Sequence, residues 1–419
     1  MAAREGFQVL IPSAAFPAMR GRAGAARREV AGGGTGGELA RRPLGPHAGF
    51  GVEVLGLELR AGLGADTQAA LASAFNRHSV LLFRGQELDD ETQLAFTRGF
   101  AAALHTELES TVAVGGLQDV QPGNEEARFL GKFSNLDEHG ELIPLDDPKG
   151  IYNAGNQLVS TATFCATMPW SDAALPHGSQ WHSDSSYKPV AAMASCLAAR
   201  LVPPAGHGGE TEIASGRHAY ATLPAALRSA AEDRVAVHDM SYSRGLLVER
   251  WARERPWADE LPPARHRLVR RGAEGQPLGL FCGAHSSHVE GMGLAEGREL
   301  IAALNHHMTA GPDACVLRHA WLPGDLLIYD NRCCLHRGRP WQDAEATPRA
   351  MVRTTLAGFS RDGFDPEVPG GGWGSAAAAP DTPTRLAMLR AVGVDLEAAG
   401  QEDSYYGRLS LHMDAPGTA

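Results

Sequence analysis

The chain has 419 residues, with 49 acidic side chains against 38 Lys and Arg, so its formal net charge at pH 7 is −11. An acidic surplus argues against a nucleic-acid scaffold, which needs a basic face to neutralise phosphates. No apolar run approaches the roughly 18 residues that a membrane helix needs. The hydrophobic share of 43% is ample for a core. We therefore expect a globular protein whose partners are neither nucleic acid nor membrane.

The two ends of the chain differ in composition from its middle. Residues 1–42 are rich in arginine, poor in acids and contain a glycine-rich run at 31–37, so we expect a disordered extension. An organelle transit peptide and a misplaced start codon stay open as alternatives. Residues 365–419 are expected to be a linker and a short C-terminal tail. The six cysteines form no CxxC pair and follow no secretory signal, which indicates a reducing, cytoplasmic compartment.

Hydrophobic periodicity predicts short strands with a few helices between them. Strands are expected at 51–59, 79–84, 193–202, 278–283, 315–321, 325–330 and 350–358, and helices at 67–77, 90–104 and 295–309. Asp89 or Asp90 is expected to cap the second helix. Short strands separated by turns, with helices near the N-terminus, favour a β-sandwich or jelly roll with helical support.

The residues that suggest chemistry are concentrated around the triplet His182-Ser183-Asp184. If this segment is a strand, His182 and Asp184 project from one face and Ser183 from the other. The candidate third ligand is His336, which follows the apolar run 325–329. Two histidines and one carboxylate leave three neighbouring coordination positions open, a set that suits Fe(II) oxygen chemistry. Taken alone, the triplet is more typical of a surface histidine beside a carboxylate.

Two arginines follow His336 in the sequence. Arg349 and Arg353 are four residues apart, and on a strand this spacing returns to the same face, so both guanidiniums would enter one cavity. A guanidinium fork makes two charge-assisted hydrogen bonds to a carboxylate. Either arginine alone is more typical of a solvated surface charge, but with the triplet they form a specific pattern.

Further motifs occur in order along the chain. They lie at 80–85, 134–137, 202–205, 208–211, 283–291 and 330–339. Together with the triplet and the arginines they resemble the taurine/2,4-dichlorophenoxyacetate dioxygenase (TauD/TfdA) family of Fe(II)- and 2-oxoglutarate-dependent enzymes, and above all its chlorophenoxyacetate-type branch. The resemblance runs from Pro43 to Phe359. It implies a dioxygenase domain at 43–364, mainly β with flanking helices (α+β), in a double-stranded β-helix (jelly-roll) fold.

The resemblance also implies roles for individual residues. The implied Fe(II) ligands are His182, Asp184 and His336. Arg349 matches the arginine that grips the distal carboxylate of 2-oxoglutarate, and Thr211 matches the threonine beside it. Tyr329 stands where chlorophenoxyacetate-type relatives carry a tryptophan close to the cosubstrate. The expected substrate contacts are Arg353, Asn156, His285 and His288, although the last two would equally cap a turn.

The implied reaction is hydroxylation of a small organic acid, a carboxylate or sulfonate. The cosubstrates are 2-oxoglutarate and O2, and succinate and CO2 are released. Hydroxylation beside a heteroatom would then cleave the substrate. One alternative is a catalytically silent ligand-binding protein of the same fold, inactivated by an insert at 159–180. Another is a cosubstrate-independent iron dioxygenase of cupin type, against which Arg349 and Thr211 argue. Relatives commonly self-associate, which leaves a homo-oligomer open.

The insert at 159–180 departs from the family pattern. Relatives read Asn-Gln-Leu-Trp-His without interruption, whereas here the insert separates Leu158 from Trp181. Because deleting it restores the motif, we hypothesise that it is a translated, in-frame retained intron. If the insert is genuine protein, Asn156 loses its expected place four residues before the first iron histidine.

We predict that the dominant spliced transcript joins the Leu158 codon directly to the Trp181 codon. A valine codon begins with GT and a glutamine codon can end with AG, the boundaries that such an intron requires. Sequencing of reverse-transcribed RNA across this junction tests the prediction. A dominant transcript that encodes all of residues 159–180 would contradict it.

Overall fold

The computed structural model describes residues 39–47, 49–110, 125–137, 139–143, 181–245, 261–271, 277–339, 341–343 and 346–358. Residues 1–38, Asn156, the insert at 159–180 and residues 359–419 lie outside these ranges. Among helices in the described ranges, none combines the length and the apolar character needed to cross a bilayer.

Six helices are found in the described ranges. They are α1 Ala65–His78, α2 Asp90–Ala103, α3 Gly216–Thr222, α4 Ala225–Ala231, α5 Met240–Gly245 and α6 Leu294–Thr309. The predicted helices at 67–77, 90–104 and 295–309 are thereby confirmed as α1, α2 and α6.

The sequence predicts that either Asp89 or Asp90 caps α2, and in the structure the cap is Asp89. Its carboxylate accepts from the backbone N–H of Thr92 at 2.8 Å, and its own N–H donates to Thr92 Oγ1 at 3.0 Å, a reciprocal capping box.

The strands are short, as the periodicity predicts. They are β1 Arg41–Pro43, β2 Val52–Val54, β3 Val80–Phe83, β4 Gly131–Ser134, β5 Ala194–Leu201, β6 Thr211–Ser215, β7 Val235–His238, β8 Ala264–Arg267, β9 Val269–Arg271, β10 Pro277–Leu280, β11 Ser286–Val289, β12 Val316–His319, β13 Leu326–Asp330, β14 Cys334–Gly338 and β15 Ala350–Leu356. The strand expected at 51–59 is wrong in length. It ends at Val54, because Gly56 adopts a φ of 73° that breaks the extended backbone, and a 3-10 helix follows at Leu59–Ala61.

The strands of the described ranges pair into four sheets. The largest has the order β1-β2-β3-β13-β5-β15-β4, and a second sheet has the order β12-β6-β14. The third sheet, β11-β7-β8, also has three strands, and the fourth is the pair β10-β9. Only the β2–β3 pair is parallel in these sheets. The protein is therefore mainly β with a few helices, as the sequence predicts.

Alternate residues of the central strands face opposite layers, because side chains alternate along a strand. Leu81 of β3 and Ile328 of β13 belong to the core shared with α1 and α2. Their neighbours Val80 and Tyr329 belong to a second core, between the first and second sheets, which includes Ile213 of β6. The pleat of β13 thus directs Tyr329 towards the second sheet.

The second sheet is covered on its other face by α6. Ala214 of β6 and Leu335 of β14 share a third core with Leu300 and Leu304 of α6. Residues of β6 and β14 that face the first sheet are therefore enclosed between layers, and this enclosure shapes the site.

Candidate active site

Three side chains able to hold a metal ion meet beside β14. The ligand atoms of His182, Asp184 and His336 all lie within 4.8 Å of one another. The backbones of His182 and His336 form an isolated antiparallel bridge, with N–H···O distances of 3.0 and 2.8 Å. Their ring centroids lie 4.2 Å apart. The structure therefore brings together the three residues for which the sequence predicts Fe(II) binding.

The segment around His182 is not the strand that the alternating-face argument requires. After the bridge at His182, the chain turns, and Ser185 has a φ of 56°. Asn331, which follows β13, holds this turn. Its side-chain Oδ1 accepts from the backbone N–H of Asp184 at 3.2 Å, and its backbone carbonyl accepts from Ser183 Oγ at 2.6 Å. The strand premise is wrong, and a turn places Asp184 beside His182.

Asp184 is buried, and both of its carboxylate oxygens are engaged. Ser195 Oγ donates to Oδ2 at 2.6 Å, and Arg353 donates to Oδ1 at 2.6 Å. The hydroxyl of Tyr329 lies 3.4 Å from Oδ2. Burial alone would raise the pKa of Asp184, but Arg353 and the two histidines hold that pKa well below its usual range. The carboxylate is therefore ionised at neutral pH.

The charge states of the cluster suit a divalent cation. Burial, reinforced by the neighbouring His182, lowers the pKa of His336 to about 3, so its imidazole is neutral at physiological pH. Its Nε2 lies 3.6 Å from Asp184 Oδ2. Metal ions need neutral imidazoles and ionised carboxylates as ligands. Two nitrogen donors with one oxygen donor are the set that non-haem Fe(II) takes.

Arg349 precedes β15 and is buried against an aromatic ring. Its guanidinium carbon lies 5.4 Å from the ring centroid of Trp341, and its backbone N–H donates to Asn135 Oδ1 at 2.8 Å. Burial lowers the pKa of Arg349 to about 10, so the side chain is still charged at neutral pH. A buried, oriented guanidinium of this kind is suited to a carboxylate ligand.

Thr211 begins β6 and lies beside a different tryptophan, Trp321. Its Oγ1 accepts from Trp321 Nε1 at 3.0 Å. Gly208, three residues before Thr211, forms a β-bridge with Trp341, the residue whose ring Arg349 covers. The segment that leads into β6 therefore lies beside Trp341, whereas Thr211 itself contacts Trp321.

Tyr329 and Arg353 come from the first sheet and reach the metal cluster directly. The Tyr329 hydroxyl lies 3.4 Å from His336 Nε2, and the two ring centroids are 4.4 Å apart. Burial raises the pKa of Tyr329 above its ordinary value, so its hydroxyl is neutral. Arg353 of β15 lies over the ring of Phe133 at 4.5 Å and donates to Asp184. The sequence predicts Arg353 as a substrate contact but not this ion pair.

The two histidines predicted as substrate contacts lie differently. The ring of His285 is buried, 6.1 Å from the ring of His182 and 5.1 Å from that of Tyr187, and its Nδ1 lies 2.7 Å from Ser243 Oγ. His288 instead contacts Ser287 Oγ through Nδ1 at 3.0 Å. The structure thus brings His285, but not His288, beside the metal cluster, and Asn156 lies outside the described residues.

Ser195 and Asn331 are functional residues that the sequence analysis does not identify. Asn331 Nδ2 donates to Ser195 Oγ at 2.9 Å, and Ser195 in turn donates to Asp184. The sequence offers one indication of a role for Ser195, because it is a polar residue within the mainly apolar strand β5. Asn331 lies in the family motif at 330–339, but the resemblance implies no role for it.

The chain matches known proteins over most of its length. Residues 40–355 match the family described as "Taurine catabolism dioxygenase TauD, TfdA family". An alpha-ketoglutarate-dependent 2,4-dichlorophenoxyacetate dioxygenase from Cupriavidus pinatubonensis is 37% identical over 320 residues, which cover 76% of this chain and 98% of that protein. The chain belongs to the TauD/TfdA family.

Other relatives agree with this assignment. An (S)-phenoxypropionate/alpha-ketoglutarate-dioxygenase from Delftia acidovorans is 28% identical and covers 74% of this chain and 93% of its own. The crystal structure of AAD-2 in complex with Mn(II) and N-oxalylglycine superposes with a TM-score of 0.60 at 31% identity, covering 76% of this chain and 98% of that one.

As a TauD/TfdA member, the chain is a 2-oxoglutarate-dependent dioxygenase, and thus an oxidoreductase. Its cofactor and cosubstrates are Fe(II), 2-oxoglutarate and O2, in accord with the His-Asp-His cluster. The predictions of family, reaction class and cofactors are confirmed.

We predict that Ser195→Ala weakens divalent-metal binding about 10- to 100-fold, the usual cost of losing a group that orients a ligand. The substitution removes the donor to Asp184 Oδ2 and the acceptor of Asn331. Titration of the full chain with Mn(II), with free Mn(II) followed by electron paramagnetic resonance, measures the change. The matched control is Ser134→Ala, which removes a buried hydroxyl that accepts from the N–H of Leu136. Equal affinities in the two variants would contradict the assigned role.

Proposed function

We propose that His182, Asp184 and His336 hold Fe(II), and that this chain couples oxidative decarboxylation of 2-oxoglutarate to hydroxylation of a small organic acid. The observation that carries the proposal is the convergence of one ionised, buried carboxylate with two histidines inside 4.8 Å. When bound, Fe(II) with 2-oxoglutarate activates O2 for attack on the substrate and releases succinate and CO2. The protein supplies ligand geometry, orientation and exclusion of water.

The cosubstrate is proposed to lie between the first and second sheets. Arg349 would receive its distal carboxylate, since the guanidinium is buried, charged and held over Trp341. Thr211 would donate a hydrogen bond to the same carboxylate from the start of β6. Tyr329 keeps an aromatic ring beside the cluster, and its neutral hydroxyl holds Asp184 and His336 in place.

The substrate is proposed to be a small carboxylate or sulfonate. The relatives are named for acting on 2,4-dichlorophenoxyacetate, (S)-phenoxypropionate and, in Pseudomonas putida, sulfate esters, all of which are acidic or sulfur-oxygen compounds. Arg353 supports an anionic substrate, because Asp184 engages its Nη1 while its buried Nε has no hydrogen-bond partner among the described residues. If hydroxylation occurs beside a heteroatom, the substrate is cleaved there. We propose Arg353, Asn156, His285 and His288 as its contacts, with contact geometry supporting His285 and Arg353.

The arrangement of the sheets supports a jelly roll, which we propose as the finer fold class. The second sheet β12-β6-β14 packs on the larger one, and antiparallel pairs dominate both. The dioxygenase domain at 43–364, a cytoplasmic location and self-association stay predictions. Nothing in the described residues favours a catalytically silent protein, because the cluster and both arginines are present.

We predict that the full chain, with Fe(II) and 2-oxoglutarate, forms succinate faster when its acidic substrate is present. A panel of phenoxyacids, sulfonates and sulfate esters, each beside a neutral analogue, identifies the substrate class.

We also predict that Arg349→Gln raises the KM for 2-oxoglutarate at least about tenfold, because hydrogen bonds to charged groups contribute roughly 1.5–3 kcal/mol. Arg318→Gln is the matched control, since the Arg318 side chain is 59% exposed.

Two outcomes would contradict the proposal. One is the absence of succinate with every member of the panel. The other is an unchanged KM for 2-oxoglutarate in Arg349→Gln. Turnover of neutral analogues at the rate of the acids would contradict the substrate class alone and leave the reaction type intact.

A further inference from the structure

A second group of metal-binding side chains lies outside the site described above. The ligand atoms of His47, His218 and Cys315 all fall within 4.8 Å of one another. They come from three separate parts of the chain: the loop between β1 and β2, helix α3, and the residue before β12. None of the three is assigned to iron, to 2-oxoglutarate or to the substrate.

The loop that carries His47 is held in place by the backbone and by the core. Leu44 N–H donates to the carbonyl of Gly51 at 3.1 Å, and Phe50 N–H donates to the carbonyl of His47 at 3.2 Å. Phe50 is buried in the same core as Leu317 of β12. The loop is thus anchored on β12, and the His47 side chain remains partly exposed beside it.

Ser215 fixes the other two donors relative to each other. Its Oγ accepts from the backbone N–H of His218 at 3.2 Å, and its own N–H donates to the carbonyl of Cys315 at 3.0 Å. The rings of His47 and His218 then meet with centroids 5.0 Å apart. One sulfur and two imidazoles are consequently presented to the same small space.

We propose that His47, His218 and Cys315 bind a zinc ion that fastens the β1–β2 loop to α3 and β12. Thiolate sulfur and imidazole nitrogen are both zinc ligands, and three protein ligands leave the fourth tetrahedral position to water. Zinc binds sulfur at about 2.3 Å and nitrogen at about 2.0–2.1 Å, so tetrahedral donors lie roughly 3.5 Å apart. The donor atoms already lie within 4.8 Å of one another, and zinc binding requires them to close to that spacing.

A reactive thiol is the other chemistry to weigh for Cys315. Burial raises the pKa of this thiol to about 11, and a protonated thiol is a poor nucleophile. Cys315 is also buried, which restricts access to its sulfur. Binding of a metal cation by Cys315, in place of the thiol proton, therefore suits these surroundings better than a redox or nucleophilic role for this residue.

The proposed zinc would connect the first and second sheets. The β1–β2 loop belongs to the first sheet, whereas β12 and the helix that follows β6 belong to the second. Because β6 begins at Thr211 and pairs with β14, which carries His336, the ion would brace the sheet on which the active-site residues stand. This role is structural and does not depend on the proposed function.

Cobalt(II) titration of the full chain, first stripped of metal by a chelator, tests the proposal. A thiolate-to-cobalt charge-transfer band in the near ultraviolet reports a sulfur ligand, which the cluster of His182, Asp184 and His336 lacks. We expect the band to persist in Asp184→Ala, where it should saturate at one equivalent because the other metal cluster is disabled, and to bleach when zinc is added. Cys315→Ser should abolish it. His47→Ala should weaken cobalt binding more than about 100-fold, beyond the roughly 10- to 100-fold cost of losing an orienting group, whereas His306→Ala, at an exposed position of α6, should not.

Thermal unfolding measures whether the proposed zinc also stabilises the fold. Zinc should raise the midpoint of thermal unfolding of the Asp184→Ala protein, because a ligand that binds only the folded state stabilises it. The same addition should give no rise once His47→Ala is introduced as well.

Three results would overturn the proposal. They are the absence of a near-ultraviolet band in the folded chain, a band of equal strength in Cys315→Ser, and unchanged cobalt affinity in His47→Ala. If Cys315→Ser fails to fold, His47→Ala decides, since its side chain lies in a partly exposed loop.

Discussion

The site depends on the burial of one charge, the carboxylate of Asp184. A buried carboxylate is costly unless it is paired and hydrogen-bonded, and each compensating group comes from a different strand. Ser195 lies on β5, Tyr329 on β13 and Arg353 on β15. These strands are neighbours in the first sheet, so correct pairing of that sheet is a condition for an ionised Asp184. His336 approaches from the second sheet, and the cluster forms only when the two layers pack.

The same layering explains why the site is enclosed. Period-two alternation along β3 and β13 sends one set of side chains towards α1 and α2 and the other set towards β6. Tyr329 is in the second set and is fully buried. Burial disfavours the charged form of His336, whereas at Asp184 the neighbouring Arg353 and histidines outweigh the same effect, so His336 is neutral and Asp184 is charged at the same pH. Metal binding at this place therefore needs no change in the protonation state of His336 or Asp184 near neutrality.

Much of this arrangement could be predicted from the sequence, for identifiable reasons. Apolar periodicity marks β3, β13 and α1 because each buries one regular face. The triplet and its distant partner His336 stand out because few donor sets suit Fe(II). The roles of Ser195 and Asn331 could not be predicted, since their hydrogen bonds join residues far apart in sequence. The turn at Ser185 and the early end of β2 depend on backbone conformations that alternation does not reveal. His47, His218 and Cys315 likewise share no local pattern, and only the packed structure brings them together.

The most direct test of the account is an anaerobic optical titration of the full chain with Fe(II) and 2-oxoglutarate. Chelation of 2-oxoglutarate by iron held in the cluster predicts a visible metal-to-ligand charge-transfer band that saturates at one equivalent of each. Asp184→Ala should remove the band, and Arg349→Gln should shift its half-saturation to higher 2-oxoglutarate concentration. A folded full chain that gives no band, or a band that Asp184→Ala leaves unchanged, would contradict chelation of 2-oxoglutarate by iron held in this cluster.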